Sequence, residues 1–413
     1  MHKKLYKFLE DNNILFENQF GFRKHNSTIH ALIQITEKIK SSIENGKFGC
    51  GIFIDLKKAF DTVNHKILLT KLEHYGIRDT SLEWFRSYLN DRKQYVYFNG
   101  QSSDLKGISC GVPQGSVLGP LLFLIYINDL PNASKILKFY LFADDTNIYH
   151  EADNLKNLER IVNKELNGLN QWLSVNRLAL NINKTKFVIF HPFNKPLKEF
   201  ITLKINKQSI DEEKHVKYLG VLIDSTLSWK SHIDNLSKKI ARSLGVMYKI
   251  RPFVTTNILT NLYYSLIYPH LLYAIQVWGF AFDTNINKLK VLQKRVIRMM
   301  SFNDLNYSDN NSQLVHSAPL FKKLNILRIN EIFEFQIIRF VYDCLHKISP
   351  TQFHEWFTLS TDVHDHATRS TTSLGGNGVI TLNNNLFLHQ AITTHYSLKS
   401  IRISGPKFWN MFP

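Results

Sequence analysis

One stretch decides the fold of this chain: Phe139-Tyr140-Leu141-Phe142-Ala143-Asp144-Asp145-Thr146-Asn147-Ile148-Tyr149. An apolar run leads into the two aspartates and a second β-prone run follows them, so the pattern predicts two strands joined at a tight hairpin tip. Adjacent carboxylates repel each other, by roughly 4 kcal/mol at 4 Å and an effective dielectric constant of 20, unless a cation lies between them. A divalent metal relieves that repulsion, whereas an isolated Asp-Asp pair is more often an ordinary turn.

Two further segments show that this pair is not isolated. The predicted strand Gly51-Ile52-Phe53-Ile54 ends in Asp55, and the chain continues as Leu56-Lys57-Lys58-Ala59-Phe60-Asp61. Between the two carboxylate segments, a glycine-rich loop opens a strongly apolar helix; it reads Gly111-Val112-Pro113-Gln114-Gly115-Ser116-Val117-Leu118-Gly119-Pro120. Each aspartate therefore follows an apolar run that can hold it rigidly.

In order and spacing, these three segments resemble motifs A, B and C of reverse transcriptases, specifically those of non-long-terminal-repeat retrotransposons (LINE-type, Jockey/CR-like). Three more segments extend the resemblance to about residues 14–300. They are Gln19-Phe20-Gly21-Phe22-Arg23 with Ser27-Thr28, similar to a fingers-side segment; Leu180-Asn181-Ile182-Asn183-Lys184-Thr185-Lys186, similar to motif D; and Tyr218-Leu219-Gly220-Val221, similar to the primer-grip hairpin, motif E.

The resemblance implies a two-metal polymerase centre that binds an RNA template, a DNA primer and a dNTP. Asp55 and Asp144 are expected to hold two Mg²⁺ ions, with Mn²⁺ as the alternative ion, and Asp145 to complete the metal-binding charge cluster. Lys184 resembles the motif D lysine that protonates pyrophosphate, although a lone lysine is far more often a surface residue. These four residues are the predicted catalytic set.

Four other residues are expected to bind substrate. The ring of Phe60 is expected to lie under the incoming sugar and exclude a 2′-hydroxyl, although a core phenylalanine is the default without the motif. Gln114 and Gly115 are expected to contact the nucleotide or template. The family's upstream fingers cations have no counterpart here, so Arg23, or Lys24, is expected to replace them in part. We expect Asp61 to cap or order the helix after motif A.

The pattern of the chain predicts an α+β fold with right-hand polymerase architecture: partial fingers, an antiparallel-sheet palm, a helical thumb and a mostly helical C-terminal region. The predicted domains are residual fingers at 1–48, a palm with a fingers insertion and motifs A to E at 49–228, a basic helical thumb at 229–301, and a region of unknown role at 302–413. In that last region we predict a polar linker at 303–312 and a loop at 360–378.

Charge indicates a polyanionic partner. The chain holds 51 Lys and Arg against 34 Asp and Glu, a net charge of +17. Residues 230–300 carry +9 of this, from eleven basic and two acidic residues. Lys290, Lys294 and Arg298 recur every fourth residue, opposite a predicted buried stripe, and are the predicted nucleic-acid-binding residues. Taken alone, such a run is equally compatible with a solvated helix face.

Composition excludes several classes of protein. Cys50, Cys110 and Cys344 are too few and scattered for a disulfide framework or zinc knuckle, so each is expected to pack as a small apolar residue. No apolar run is long enough to span a bilayer and no signal peptide is visible, so we expect an intracellular protein of the nucleus or cytoplasm without membrane contact. The sequence does not indicate an oligomeric state.

Two function classes remain open from the sequence. The first is an RNA-directed DNA polymerase of a retrotransposon. The second is a catalytically weak relic that only binds nucleic acid, because the short region before Gln19 leaves no room for the family's upstream fingers run or for an endonuclease domain. We therefore expect a 5′-truncated element.

Overall fold

The computed structural model describes residues 1–195, 197, 199–301, 316–359, 372–374, 380–382, 396 and 399–411. The chain divides into two compact units, one formed by residues 1–31 and 46–216 and the other by residues 32–45 and 217–413. Helices together with a mixed six-stranded sheet confirm the predicted α+β class. The sheet-bearing unit ends at Val216 rather than at residue 228, and the functional domain division stays a prediction.

The first half of the chain alternates helices and strands. Its elements are α1 (His2–Asp11), α2 (Thr28–Glu44), β1 (Phe48–Ile54), α3 (His65–His74), α4 (Asp79–Leu89), β2 (Lys93–Gln94), β3 (Tyr97–Phe98), β4 (Gln101–Ser102), β5 (Lys106–Gly107), α5 (Gly119–Ile127), β6 (Lys138–Phe142), β7 (Asp145–Ala152), α6 (Leu155–Val175), β8 (Lys186–Phe190), β9 (Leu203–Ile205) and β10 (Gln208–Glu212). The predicted helix pairs within residues 1–48 and around Gly76 are confirmed, as is the hairpin turn at Asn99-Gly100.

The sheet of the first unit has the strand order β6-β7-β1-β8-β10-β9. Strands β6, β7, β1 and β8 are antiparallel neighbours, as predicted for the palm. The prediction of a wholly antiparallel sheet is wrong, because β10 pairs parallel to β8, with Asp211 opposite Lys186. That pairing follows from the long excursion between β8 and β10, which lets the chain re-enter the sheet in the same direction.

Helices cover the faces of this sheet. Strand β1 is buried at every position after Phe48, as expected for a central strand. Helix α5 is buried almost all round and so belongs to the core, whereas α6 buries a single stripe that confirms its predicted amphipathic face. That stripe consists of Leu155, Leu158, Val162, Leu166, Leu169 and Leu173.

The second half of the chain is mostly helical. Its elements are β11 (His215–Tyr218), β12 (Val221–Asp224), α7 (Lys230–Ile250), α8 (Thr256–Leu266), α9 (Tyr268–Leu272), α10 (Ile275–Trp278), α11 (Asp283–Met300), α12 (Ser317–Lys323), α13 (Ile329–Leu345), β13 (Thr372–Leu374), β14 (Ile380–Leu382) and α14 (Ile401–Trp409). The predicted primer-grip segment is a strand pair, β11 and β12, broken at Leu219-Gly220. Helix α7 packs against α11, and α13 packs against α14.

Some predictions for the remainder of the chain are revised. The linker predicted at 303–312 lies outside the described residues. Most of the loop predicted at 360–378 does too, but within it Thr372–Leu374 forms a strand paired with Ile380–Leu382. Cys50 and Cys344 are buried as expected, whereas Cys110 is exposed because it lies in a loop bridged to Asn64 through the backbone. In the described part of the chain, no helix is long and apolar enough to cross a membrane.

Candidate active site

The three predicted metal-binding aspartates come from neighbouring strands. Asp144 lies in the two-residue turn between β6 and β7, and Asp145 begins β7 opposite Phe142. Strands β1 and β7 pair with Ile54 opposite Thr146, so the next position along this antiparallel ladder places Asp55 opposite Asp145. Directly opposed residues of an antiparallel pair have Cα atoms about 4.5–5.5 Å apart. The fold therefore brings together carboxylates that are far apart in sequence.

This crowding changes the acidity of the pair at the turn. Partial burial raises the pKa of Asp144 above its usual range, and the charge of Asp55 raises it further. Burial likewise raises the pKa of Asp145, with added repulsion from Asp144 and then Asp55. Each shift reflects the unfavourable concentration of negative charge, which a bound cation would relieve.

The donor chemistry at this site fits a hard divalent cation. Carboxylate oxygens are the ligands Mg²⁺ uses, and it commonly takes only one or two of them beside water and substrate phosphates. Within the described residues, no three His, Cys, Asp or Glu side chains already form a metal-ligand cluster. The aspartates form an open group, which suits an ion whose remaining ligands come from substrate.

Motif D anchors the end of β1. The backbone N–H of Asp55 donates to Thr185 Oγ1 at 3.3 Å, and its carbonyl accepts the N–H of Asn181 at 2.8 Å. These bonds bring Lys184 beside the site: its Nζ lies 4.0 Å from Asp55 Oδ2, while 70% of its side chain remains exposed. Lys184 is thus a mobile cation at the edge of the carboxylate group.

Phe60 occupies a position between the core and the surface. Its ring stacks on Phe123, with centroids 4.2 Å apart, and meets the ring of Phe22 edge-on at 6.3 Å. The side chain is only partly buried. Phe60 therefore combines a fixed orientation with an accessible edge, and these contacts are compatible with either core packing or sugar selection.

The glycine-rich loop is attached to the segment that follows Asp55. Gln114 Nε2 donates to Asp61 Oδ1 at 2.8 Å. Gly111 has a φ of +88°, and a Cβ there would lie 2.8 Å from the carbonyl oxygen of Asp61, so only glycine fits. Gly115 also has a positive φ, +81°. The loop therefore holds Gln114 and Gly115 beside Phe60 and Asp61.

Asp61 does not cap the following helix, contrary to the prediction. Helix α3 begins at His65 with Asn64 as its N-cap, and the Asn64 side chain accepts the N–H of Ile67 at 3.1 Å. Asp61 lies too early in the chain for that role. Its carboxylate instead accepts the hydrogen bond from Gln114.

Arg23 is held by residues of its own chain. Its guanidinium makes two hydrogen bonds to the carboxylate of Glu10, at 3.0 and 2.8 Å, and a third to the carbonyl of Phe16 at 3.0 Å. Burial opposes ionisation of Glu10, but the bonds and charge of Arg23 outweigh it and lower the pKa of Glu10. A guanidinium has five N–H donors, so part of Arg23 remains for a substrate anion. Lys24 is exposed.

The predicted nucleic-acid-binding residues lie on α11, in the other compact unit. Leu289, Val296 and Met299 are buried as predicted, while Leu292 is partly buried. Lys294 is exposed, and Lys290 and Arg298 are partly exposed. Lys290 Nζ lies 3.8 Å from Asp283 Oδ1, a loose contact that leaves a basic face on this helix.

Sequence reasoning missed the residue that supports the aspartate turn. The side-chain oxygen of Gln19 accepts the backbone N–H of Ala143, at 3.0 Å, and that of Gly21, at 2.8 Å. The segment around Gln19 carried a signal only as part of the fingers-side resemblance, and nothing local in it indicates a partner so distant in sequence.

Comparison with known proteins places these observations in a family context. Residues 1–223 match the sequence profile of reverse transcriptase (RNA-dependent DNA polymerase). The RNA-directed DNA polymerase from mobile element jockey of Drosophila melanogaster is 29% identical over 294 residues, covering 68% of this chain and 32% of the relative. The probable RNA-directed DNA polymerase from transposon BS of the same species is 28% identical over 347 residues, covering 79% and 36%.

Other comparisons give a similar picture of partial coverage. The probable RNA-directed DNA polymerase from transposon X-element of Drosophila melanogaster is 27% identical over 320 residues, covering 72% of this chain and 33% of the relative. The chain thus spans about a third of the length of these relatives. Among solved structures, telomerase from Candida albicans in complex with a fragment of telomeric RNA is similar, with a TM-score of 0.43 and 12% identity over 79% of this chain and 58% of that one.

Proposed function

This chain belongs to the reverse transcriptase (RNA-dependent DNA polymerase) family, and we propose that it copies an RNA template by adding dNTPs to the 3′-hydroxyl of a DNA primer, as part of a retrotransposon. The observation that carries the proposal is the convergence of Asp55, Asp144 and Asp145, with the pKa of the last two raised by burial and mutual repulsion. Such a reaction takes place in the nucleus or cytoplasm.

The proposed roles follow from the chemistry of each residue. Asp55 and Asp144 hold two Mg²⁺ ions, or Mn²⁺, and Asp145 supplies further negative charge. Bound divalent ions lower the pKa of the primer hydroxyl and stabilise the leaving pyrophosphate. Lys184 holds the proton that its Nζ delivers to pyrophosphate, a role its exposure and its distance of 4.0 Å from Asp55 support.

The remaining residues bind and select substrate. The edge of Phe60 excludes a 2′-hydroxyl, and its stacking on Phe123 supports a fixed ring. Gln114 and Gly115 contact the nucleotide or template, and the free donors of Arg23 meet part of the triphosphate charge. A separate surface carries the primer-template backbone; it consists of Lys290, Lys294 and Arg298. We retain residues 1–48 as residual fingers, 49–228 as palm and 229–301 as thumb.

Primer extension on an RNA template in Mg²⁺ tests the proposal. Asp55→Asn and Asp144→Asn should each lower the extension rate by roughly a hundredfold or more, because each removes a preorganised charge. Asp153→Asn is the matched control, since this exposed aspartate follows the far end of β7, and it should extend normally. Circular dichroism checks that all three variants fold.

Two results would overturn the proposal. Extension by either active-site variant within a few-fold of wild type would remove the metal-binding assignment. Primer-template binding by a well-folded wild-type chain that never extends would instead support the relic that only binds nucleic acid.

A further inference from the structure

The segment before Gly21 runs beside the strand that leads into the aspartate turn. The N–H of Phe20 donates to the carbonyl of Leu141 at 2.8 Å, and the N–H of Leu141 donates to the carbonyl of Asn18 at 2.9 Å. Gln19 and Leu141 thus form a parallel bridge. The backbone of this segment is held in a defined register along β6, one step from the turn.

The side chain of Gln19 reaches into the turn itself. Gln19 is 2% exposed, and its Oε1 accepts the N–H groups of both Gly21 and Ala143. A carbonyl oxygen has two lone pairs, so its acceptor capacity is filled. Within the described residues its Nε2 has no hydrogen-bond partner, which places the contribution of this amide in its oxygen.

Ala143 is the residue that needs such support. Its φ is +56°, a left-handed conformation that residues other than glycine, asparagine and aspartate seldom adopt. The β6–β7 ladder ends at the pair Phe142 and Asp145, so the ladder itself does not bond the N–H of Ala143. Gln19 bonds that N–H, and it therefore acts on the turn rather than on the strands.

Gly21 makes the close approach possible. A Cβ at this position would lie 2.3 Å from the backbone nitrogen of Ala143 and 3.0 Å from the carbonyl carbon of Phe142. Both neighbours are backbone atoms, which cannot move aside as a flexible side chain can. Any larger residue at position 21 would displace the turn.

We propose that Gln19 and Gly21 are positioning residues that fix the orientation of Asp144 and Asp145 for divalent-cation binding. The inference rests on the proposed function, because it assumes that these aspartates bind the catalytic metal. Residues that orient metal ligands without touching the metal commonly change metal affinity 10–100-fold when replaced. Gln19 and Gly21 stand in that relation to the turn.

Metal binding without substrate tests the inference directly. Mn²⁺ affinity is measured by electron paramagnetic resonance on the full chain, with no nucleotide or nucleic acid present. Gln19→Leu, which removes the acceptor at similar volume, should bind Mn²⁺ roughly tenfold or more weakly than wild type. Gln19→Glu keeps a side-chain oxygen at the same reach and should stay within a few-fold of wild type.

A matched control separates positioning from general stability. Gln293 is also 2% exposed, and its side chain bonds Tyr263, Leu327 and Ile329 in the other compact unit. Gln293→Leu should lower the melting temperature without changing Mn²⁺ affinity. Should Gln19→Leu fail to fold, Gln19→Asn withdraws the oxygen by one carbon while keeping an amide, and it should show the same loss of affinity.

The extension assay adds a second readout. Gln19→Leu should regain most of its lost rate as Mn²⁺ or Mg²⁺ is raised, because its ligands are present but misplaced, whereas Asp144→Asn should not. Unchanged metal affinity in a folded Gln19→Leu or Gln19→Asn chain would overturn the positioning role and leave the proposed function standing. Failure of the wild-type chain to bind Mn²⁺ through Asp144 would overturn both.

Discussion

Phe60 shows how a single ring can be both packed and available. Phe123 stacks on one side of it at 4.2 Å and Phe22 meets it edge-on at 6.3 Å, so the ring cannot swing freely. A fixed aromatic edge beside the carboxylates is what a steric filter against a 2′-hydroxyl requires. A purely structural phenylalanine would gain nothing from remaining partly exposed.

Phe60→Val should therefore relax selection against ribonucleotides. Removing the ring opens space beneath the sugar, and we expect the ratio of ribonucleotide to deoxynucleotide incorporation to rise roughly tenfold or more, the scale of discrimination by a shaped apolar pocket. Single-nucleotide incorporation measures the ratio, with the exposed Phe193→Val as control. A ratio that does not move would assign Phe60 to core packing.

Asp144 should destabilise the chain while no metal is bound. Its raised pKa means that the folded state holds its proton to higher pH than the unfolded state does. Its stabilising contribution is therefore present below the ordinary aspartate pKa, about 3.9, and is lost as pH rises through the raised value. At pH 7 the folded chain carries the full repulsion.

Asp144→Asn should accordingly raise the melting temperature of the metal-free chain at pH 7. Relief of about 1 kcal/mol corresponds to roughly 2 °C for a chain of this size, and the gain should vanish at a pH below 4. Mg²⁺ should stabilise the wild type and Asp153→Asn more than Asp144→Asn. Calorimetry with and without Mg²⁺ measures both effects, and a lower melting temperature for Asp144→Asn would contradict the repulsion argument.

At the scale of elements, α2 anchors the C-terminal helix α14. Glu37 accepts hydrogen bonds from the Ser400 hydroxyl and the Ile401 N–H, and it pairs with Lys40 at 2.7 Å. Lys40 donates in turn to the carbonyl of Lys399. The Lys40 and Glu37 side chains are only 5% and 9% exposed, so the contact is a buried charge network. Part of the region without an assigned role is thereby integrated into the second unit.

Glu37→Ala should destabilise the second unit strongly. It leaves the ammonium of Lys40 buried without its charge partner, which typically costs about 3–5 kcal/mol. Glu83→Ala is the control, because Glu83 also pairs with a cation three residues later, Arg86, but is 65% exposed and should cost less than about 1 kcal/mol. Urea denaturation measures the costs, and hydrogen exchange follows residues 400–409. Equal costs for the two variants would show that the network is not needed for docking.

At the scale of the whole molecule, positive charge is concentrated rather than spread. Of the net +17, residues 230–300 carry +9. On α11 the apolar stripe faces the core, which leaves Lys290, Lys294 and Arg298 along the accessible side. A row of cations one helical turn apart can follow a phosphate backbone, and each phosphate neutralised adds about 0.9 to the salt dependence of affinity for B-DNA.

Replacing Lys290, Lys294 and Arg298 together by Gln should flatten the salt dependence of primer-template binding by about 2 in the slope of log affinity against log salt. The matched control replaces Lys156, Arg160 and Lys164, three exposed cations with the same spacing on α6. Fluorescence anisotropy across a salt series measures both slopes. If the two triple variants behave alike, α11 is a solvated surface rather than a binding face.

The sequence by itself determined the elements and the chemistry of the site. Turn chemistry and alternation around Asp144 predict the hairpin, and the spacing of apolar residues predicts the buried stripe of α6, because both depend on neighbours a few residues apart. Asp55 could be placed at a strand end for the same reason. These local patterns were enough to identify the family.

Only the tertiary structure decided what surrounds those residues. The parallel pairing of β10 with β8, the bond from Gln114 to Asp61, the engagement of Arg23 by Glu10 and the contact of Gln19 with Ala143 each join segments that no local pattern connects. Such contacts depend on how the chain returns to itself, and a polar side chain such as Gln19 has no preferred distant partner until the fold presents a buried N–H to it. Local propensity therefore places the aspartates, and long-range packing orients them.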